Sequence, residues 1–163
     1  MLGIDPGSVC TGYGVIEKNG SKLSLIDYGA IQNKTSDLLS ERFLNIYQNL
    51  KQVLSLTHPE CVAIEEVFFC KNVNSAIKLG EARGVAILAA REAHCPIIEY
   101  SAKRVKRAVV GYGSAAKNQV GLMVKRLLGL NEIPTPKDAA DALAVAICHA
   151  HSMKSFFEAP KYV

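Results

Sequence analysis

The chain lacks the usual external braces of a small or secreted fold. Its five cysteines, Cys10, Cys61, Cys70, Cys95 and Cys148, are odd in number and widely scattered, with no C-x-x-C pair and no Cys/His spacing of the zinc type. That argues against a disulfide framework and a structural zinc site, and the cysteines read as reduced, mostly buried thiols. No apolar run approaches the length of a membrane span. The N-terminus enters a strand-like run at Leu2 without a basic n-region or a cleavage site, so a cytoplasmic protein is expected. Also missing is any acidic residue between Glu99 and Glu132, whereas Lys103, Arg104, Lys106, Arg107, Lys117, Lys125 and Arg126 all fall there. With a formal charge of +4 and a pI near 8.8 the whole chain is only mildly basic, so this block says more than the total. It is either a solvated helix face or a surface that tracks phosphates.

Of the 163 residues, 49% are apolar, enough for a substantial core in one domain. Leu2 to Asp5 reads as a short strand and Thr11 to Lys18 as a second. Asn19-Gly20 is a type I′ hairpin signal leading to a third strand, Lys22 to Gln32. From Ser36 to Leu56 the positions Leu39, Phe43, Ile46, Leu50, Val53 and Leu54 recur at helical spacing. A buried strand over Cys61 to Val67, a helix from Asn74 to Ala93 and a strand over Ile97 to Tyr100 follow. Three helices close the chain, Ser101 to Val110, Ala115 to Leu128 and Pro136 to Ser152. This order predicts an α/β domain, a mixed five-stranded sheet flanked by helices, over residues 1–152, with a frayed tail over 153–163.

Asp5 ends an apolar strand and precedes Pro6-Gly7, where it either caps the turn or meets a cation. Glu65 ends the apolar run Val62-Ala63-Ile64, with Glu66 beside it. Successive strand residues face opposite ways, so only one of these two can share a site with Asp5, and periodicity does not say which. Thr135-Pro136-Lys137-Asp138 reads as a helix start with Thr135 at N-cap, Pro136 at N1 and Asp138 at N3, which accounts for Asp138 as a capping acid. It does not account for Asp141, set among Ala139, Ala140, Ala142, Leu143 and Ala144. Three residues apart on a helix, the two acids share a face roughly 5–6 Å apart, and a bridging cation would relieve their repulsion. Mg²⁺ or Mn²⁺ suits an all-oxygen cluster. Two strand-end acids and a helical pair would converge into a two-metal site of the kind that cleaves phosphodiesters.

The motifs Leu2-Gly3-Ile4-Asp5-Pro6-Gly7-Ser8, Thr11-Gly12-Tyr13-Gly14-Val15-Ile16, Ala63-Ile64-Glu65, Ala76-Ile77-Lys78-Leu79-Gly80, Ala82-Arg83-Gly84-Val85-Ala86-Ile87, Val109-Val110-Gly111 and Asp138-Ala139-Ala140-Asp141-Ala142-Leu143-Ala144 stand in the order and spacing of the RuvC family, which the chain resembles from Met1 to His151. The resemblance implies an RNase H-like fold and a metal-dependent Holliday-junction resolvase that nicks four-way junctions symmetrically. It implies Asp5, Glu65, Asp138 and Asp141 as catalytic metal ligands, two Mg²⁺ ions with Mn²⁺ as a substitute, a homodimer, and RuvA and RuvB as partners. It also implies that Phe68 stacks at the DNA crossover and that Lys106 and Lys117 approach the DNA backbone. Lys137, beside the ligand pair, departs from the family pattern.

Other residues carry open readings. Phe68 and Phe69 are adjacent aromatics of a type most often found in cores. Ala76, Gly80 and Gly84 form a small-residue stripe suited either to the protein's own sheet or to a dimer seam. His149 lies two turns beyond Asp141, about 12 Å along the helix axis, too far to join the same ion. An aspartate strand followed by a Gly-rich hairpin also builds the phosphate loop of actin-like and sugar-kinase ATPases. Those close two such domains around nucleotide, and this chain has length for one.

Overall fold

The computed structural model describes residues 1–66 and 72–157, with side chains through Met153. Strands β1 (Leu2–Asp5), β2 (Cys10–Asn19) and β3 (Lys22–Gln32) form an antiparallel meander. Then come α1 (Leu39–Thr57), β4 (Val62–Glu65), α2 (Val73–Glu92), β5 (Ile97–Tyr100), α3 (Ala102–Val110), α4 (Lys117–Leu127) and α5 (Lys137–Phe157). The sheet order is β3-β2-β1-β4-β5, with β4 parallel to both β1 and β5. This is the expected mixed five-stranded sheet. No described helix is long and apolar enough to cross a membrane.

Several expected boundaries move. Asn19 pairs with Lys22, so the hairpin loop is Gly20-Ser21. Only Gly20 of the two has a positive φ, the type II′ pattern rather than type I′. The first helix begins at Leu39 rather than Ser36, and Glu41 Oε2 accepts from the Leu38 N–H at 3.1 Å at its entry. The last helix begins at Lys137, and the Pro136 carbonyl accepts from the Ala139 and Ala140 N–H groups at 3.0 and 3.4 Å. Pro136 therefore stands at the cap and Asp138 at N2, not at the N3 position that returns a capping bond. The same helix passes Ser152, where fraying was expected, and continues to Phe157. Ser152 Oγ donates to the Cys148 carbonyl at 2.9 Å on that last stretch.

The sheet separates two cores. Leu2, Ile4, Val62 and Ile64 face α1 and α2, where Ile46, Leu50, Ala82 and Ala86 are fully buried. Ala63 and Ile16 face the other way, toward α5, which α3 and α4 cover from outside. Helix α5 is consequently buried nearly all round from Ala142 to Ala150. Its alanine-rich sequence, without a polar stripe beyond Asp141, is the consequence of that position.

Close seating of α5 depends on glycines facing it. A Cβ on Gly3 would collide with the Ala142 carbonyl and lie 2.6 Å from the Ala146 N. One on Gly12 would collide with the Asp138 carbonyl, and one on Gly14 would lie 2.6 Å from Leu143 Cδ2. Gly3 pairs with Gly14 and Asp5 with Gly12, so the bare track and the acid of β1 share one face. Gly3→Ala should therefore lower stability by about 1–3 kcal/mol through overpacking against a backbone that cannot swing aside. Urea unfolding measures this, and an unchanged midpoint would show that α5 has room to spare there.

Candidate active site

The pleat places the acids. Ile4 is in register with Ile64 across the parallel β1–β4 pair, so Asp5 and Glu65 end neighbouring strands side by side. Ala63 belongs to the α5-side core and Ile64 to the opposite one, so by alternation Glu65 points toward α5, with Asp5, and Glu66 away from it. This favours Glu65, the choice that periodicity alone left open. Glu66 instead anchors its backbone, its N–H donating to the Tyr100 carbonyl at 2.9 Å.

Helix α5 brings the other two acids over the same strand ends. Gly12, the partner of Asp5, lies directly beneath the Asp138 backbone. Burial, reinforced by Glu65, Asp141 and Asp138, pushes the Asp5 carboxyl up to about 8 against the opposing pull of Lys117. Burial also raises Glu65, although a hydrogen bond with Asp5 and the charges of Lys117 and Lys106 work the other way. Asp5 thus feels all three other acids, and Glu65 feels Asp5 and Asp141. Lys117 Nζ lies 2.6 Å from Asp141 Oδ2.

Lys106 and Lys117 line a cleft of about 150 Å³ together with Glu65 and Asp141, floored by Val105, Val120 and Ala144. Lys137 lines an adjoining recess of about 170 Å³, again with Lys117 and Asp141. The remaining basic residues of α3 differ. Arg104 covers the Tyr100 ring at 4.8 Å and reaches Ser152 Oγ at 3.4 Å, and Lys103 and Arg107 are exposed. Phe68, and with it the stacking expectation, lies outside the described residues.

Two neighbours of the acids were not visible as such in the sequence. The Cys10 thiol, raised to about 12 chiefly by burial, donates to the Asp138 carboxylate. Thr11, fully buried, gives its hydroxyl hydrogen to the Gly7 carbonyl at 2.7 Å and accepts from the Gly7 N–H at 3.3 Å, closing the turn after Asp5. Their only signal was position, immediately before the Gly12 that pairs with Asp5. His149 is part of the core instead, with Nδ1 2.8 Å from the Tyr100 hydroxyl and Nε2 3.1 Å from Cys61 Sγ.

The donor set fits a hard divalent cation. It is all oxygen, carries more negative charge than its one ion-paired lysine offsets, and is held in a half-buried place that disfavours bare charge. Among the described residues no three carboxylates, imidazoles or thiols stand close enough in this arrangement to grip one ion.

A five-stranded mixed sheet carrying carboxylates at the ends of two central parallel strands and on the helix across them defines an RNase H-like α/β protein. The family model described as crossover junction endodeoxyribonuclease RuvC matches residues 1–149. A RuvC from Caldicellulosiruptor saccharolyticus is 53% identical over 156 residues, covering 95% of this chain and 94% of that protein. One from Syntrophotalea carbinolica is 55% identical over 151 residues, covering 93% of each. The structure of Thermus thermophilus RuvC in complex with a Holliday junction substrate superposes with a TM-score of 0.89 at 39% identity, covering 95% of this chain and 94% of that one. The chain belongs to the RuvC family.

The raised Asp5 gives the metal-free protein a distinctive pH response. The folded state holds a proton that the unfolded chain releases near 3.8, so stability is full below that pH and falls as pH rises through about 8. His149, lowered by burial, acts oppositely and loses stability as pH falls from its unfolded value near 6.5. Chelator-treated wild type and Asp5→Asn, melted from pH 4 to 9, should therefore diverge increasingly toward alkaline pH, with Asp5→Asn the more stable. Parallel curves would mean that Asp5 ionises freely in the fold.

Proposed function

We propose that this chain is a Holliday-junction resolvase, a metal-dependent endonuclease that nicks four-way DNA junctions symmetrically during recombination and repair. The observation that carries this reading is a cleft lined by Glu65, Asp141, Lys106 and Lys117, with Asp5 and Asp138 in electrostatic reach of its acids, in a member of the RuvC family. The proposed nuclease domain spans 1–152, and the tail over 153–163 starts within the last turns of α5. Asp5, Glu65, Asp138 and Asp141 would hold two Mg²⁺ ions, with Mn²⁺ able to substitute. When bound, the ions supply Lewis-acid stabilisation of phosphoryl oxygens and an activated water.

The chain's own groups do the rest. Asp5 and Glu65 are fixed by the β1–β4 ladder, so their positions cost little reorganisation when DNA arrives. Lys106 and Lys117 face the backbone of the cleaved strand from the cleft wall and offset charge that builds on the phosphate. Phe68 would stack on a base exposed at the crossover, at roughly 1–3 kcal/mol. RuvA and RuvB are the proposed partners and the cytoplasm the proposed location, following the family.

Asp141→Asn should cut a synthetic four-way junction at least about 10²-fold more slowly than wild type in Mg²⁺. It should bind that junction within a few-fold, because the change removes a ligand and also some repulsion toward phosphate. Gel assays of cleavage and binding, with a linear duplex alongside, test both halves. Near wild-type cutting would remove Asp141 from the site, and equal cutting of the duplex would remove the junction specificity.

A homodimer is the proposed active species, since a four-way junction offers two symmetry-related scissile bonds and each chain gathers one such acidic cluster. The surface of α2 supports this. Its buried residues Ala82, Ala86, Ala89 and Ala90 face the protein, whereas Val73, Ile77, Gly80, Gly84 and Leu88 are exposed. A Cβ on Gly80 or Gly84 would meet nothing within 4 Å, so this stripe does not serve the protein's own sheet. Three- and four-residue steps place it along one helix face, apolar and open to close approach. Gly84→Arg should convert a dimer into a monomer in sedimentation equilibrium with an unchanged circular dichroism spectrum. A dimer that persists would move the seam to another face.

A further inference from the structure

Lys117 is held by the acids themselves. Its ammonium lies 2.6 Å from Asp141 Oδ2 and within electrostatic reach of Asp5, Asp138 and Glu65, so one side-chain cation serves all four carboxylates. The side chain of Asp141 is only 17% exposed while that of Lys117 is 70% exposed. The lysine therefore reaches the cluster from solvent and has an open way back. Its backbone is fixed as the first residue of α4, where the Ala116 N–H donates to Gln119 Oε1 at 2.8 Å, so departure needs rotation of the side chain alone. Lys106 lines the same cleft but makes no ion pair among the described residues. The two lysines are thus not equivalent.

A divalent ion ligated by Asp141 and an ammonium on the same carboxylate are like charges competing for one set of lone pairs. On the reading that Asp141 is a metal ligand, we propose that Lys117 is a resident counter-cation that the arriving ion displaces from Asp141. The ammonium so freed turns to a phosphate of the bound DNA. Metal loading and DNA binding are then coupled through one side chain, and the coupling is reciprocal, since DNA that captures the lysine also uncovers Asp141 for the ion. No bond is made or broken; the exchange is of ion-pair partners, and Lys117 keeps its proton throughout.

The test is Mn²⁺ binding to the full chain without DNA, by titration calorimetry and by loss of the free-ion electron paramagnetic resonance signal. Wild type is compared with Lys117→Met, Lys117→Gln, Lys117→Arg and Asp141→Asn, each checked for folding by circular dichroism. Lys117→Met and Lys117→Gln should bind Mn²⁺ about five-fold or more tightly than wild type, and Lys117→Arg, which keeps the competing cation, should not. With a junction present and Ca²⁺ as the ion, wild type should gain more DNA affinity on adding metal than Lys117→Met gains. Neutral variants that bind Mn²⁺ no more tightly than wild type would overturn the displacement, provided Asp141→Asn weakens binding. If Asp141→Asn leaves Mn²⁺ affinity unchanged, the ligand assignment fails first and the proposal with it.

Discussion

The structure turns on how closely α5 lies against β1 and β2. Gly3, Gly12 and Gly14 leave no side chain between sheet and helix, and each would meet α5 if it had one. Because the helix is laid on the sheet at that distance, Asp138 stands over the strand position that pairs with Asp5, and Asp141 follows one turn further on. A helix held off by ordinary side chains would carry the same acids away from Asp5 and Glu65. The packing that stabilises the core is therefore also what assembles the site.

That assembly is electrostatically expensive. Four carboxylates share a half-buried space, and the result is visible at Asp5, which burial and its acidic neighbours push far above the ordinary carboxylate range. The fold tolerates this because the cost is spread. Lys117 pairs with Asp141, the Cys10 thiol donates to Asp138, and Asp5 shares a hydrogen bond with Glu65. None of these partners replaces a divalent cation, which would act on several carboxylates at once. A site strained in this way is the expected state of one whose working charge arrives from solution.

The two faces of the sheet divide the labour. The α1 and α2 side holds a conventional aliphatic core, with Leu2, Ile4, Val62 and Ile64 against Ile46, Leu50 and the inner alanines of α2. The outer side of α2 is apolar but open, which fits pairing with a second copy. The α5 side carries the acids at its edge, and α3 and α4 extend that edge with the two cleft lysines. The proposed catalytic and pairing surfaces thus sit on different helices, each fixed by its own core.

The order of elements was legible in the residues, because alternation and helical spacing are local properties that the chain cannot hide: three meandering strands, then strands alternating with helices. The acids were legible as oddities, since Asp5 and Asp141 interrupt apolar runs without a local reason. Family spacing named the four together, and the pleat later supplied a physical reason for Glu65, through Ala63 on the α5 face. Other features belonged to the tertiary structure alone. The true cap at Pro136, the roles of Cys10 and Thr11, the exposure of Gly80 and Gly84 and the contact between Lys117 and Asp141 join residues that are distant in sequence or depend on which face is covered. Sequence determines which groups are present and which way each local face turns. Only packing decides which faces meet, and therefore which charges must share one place.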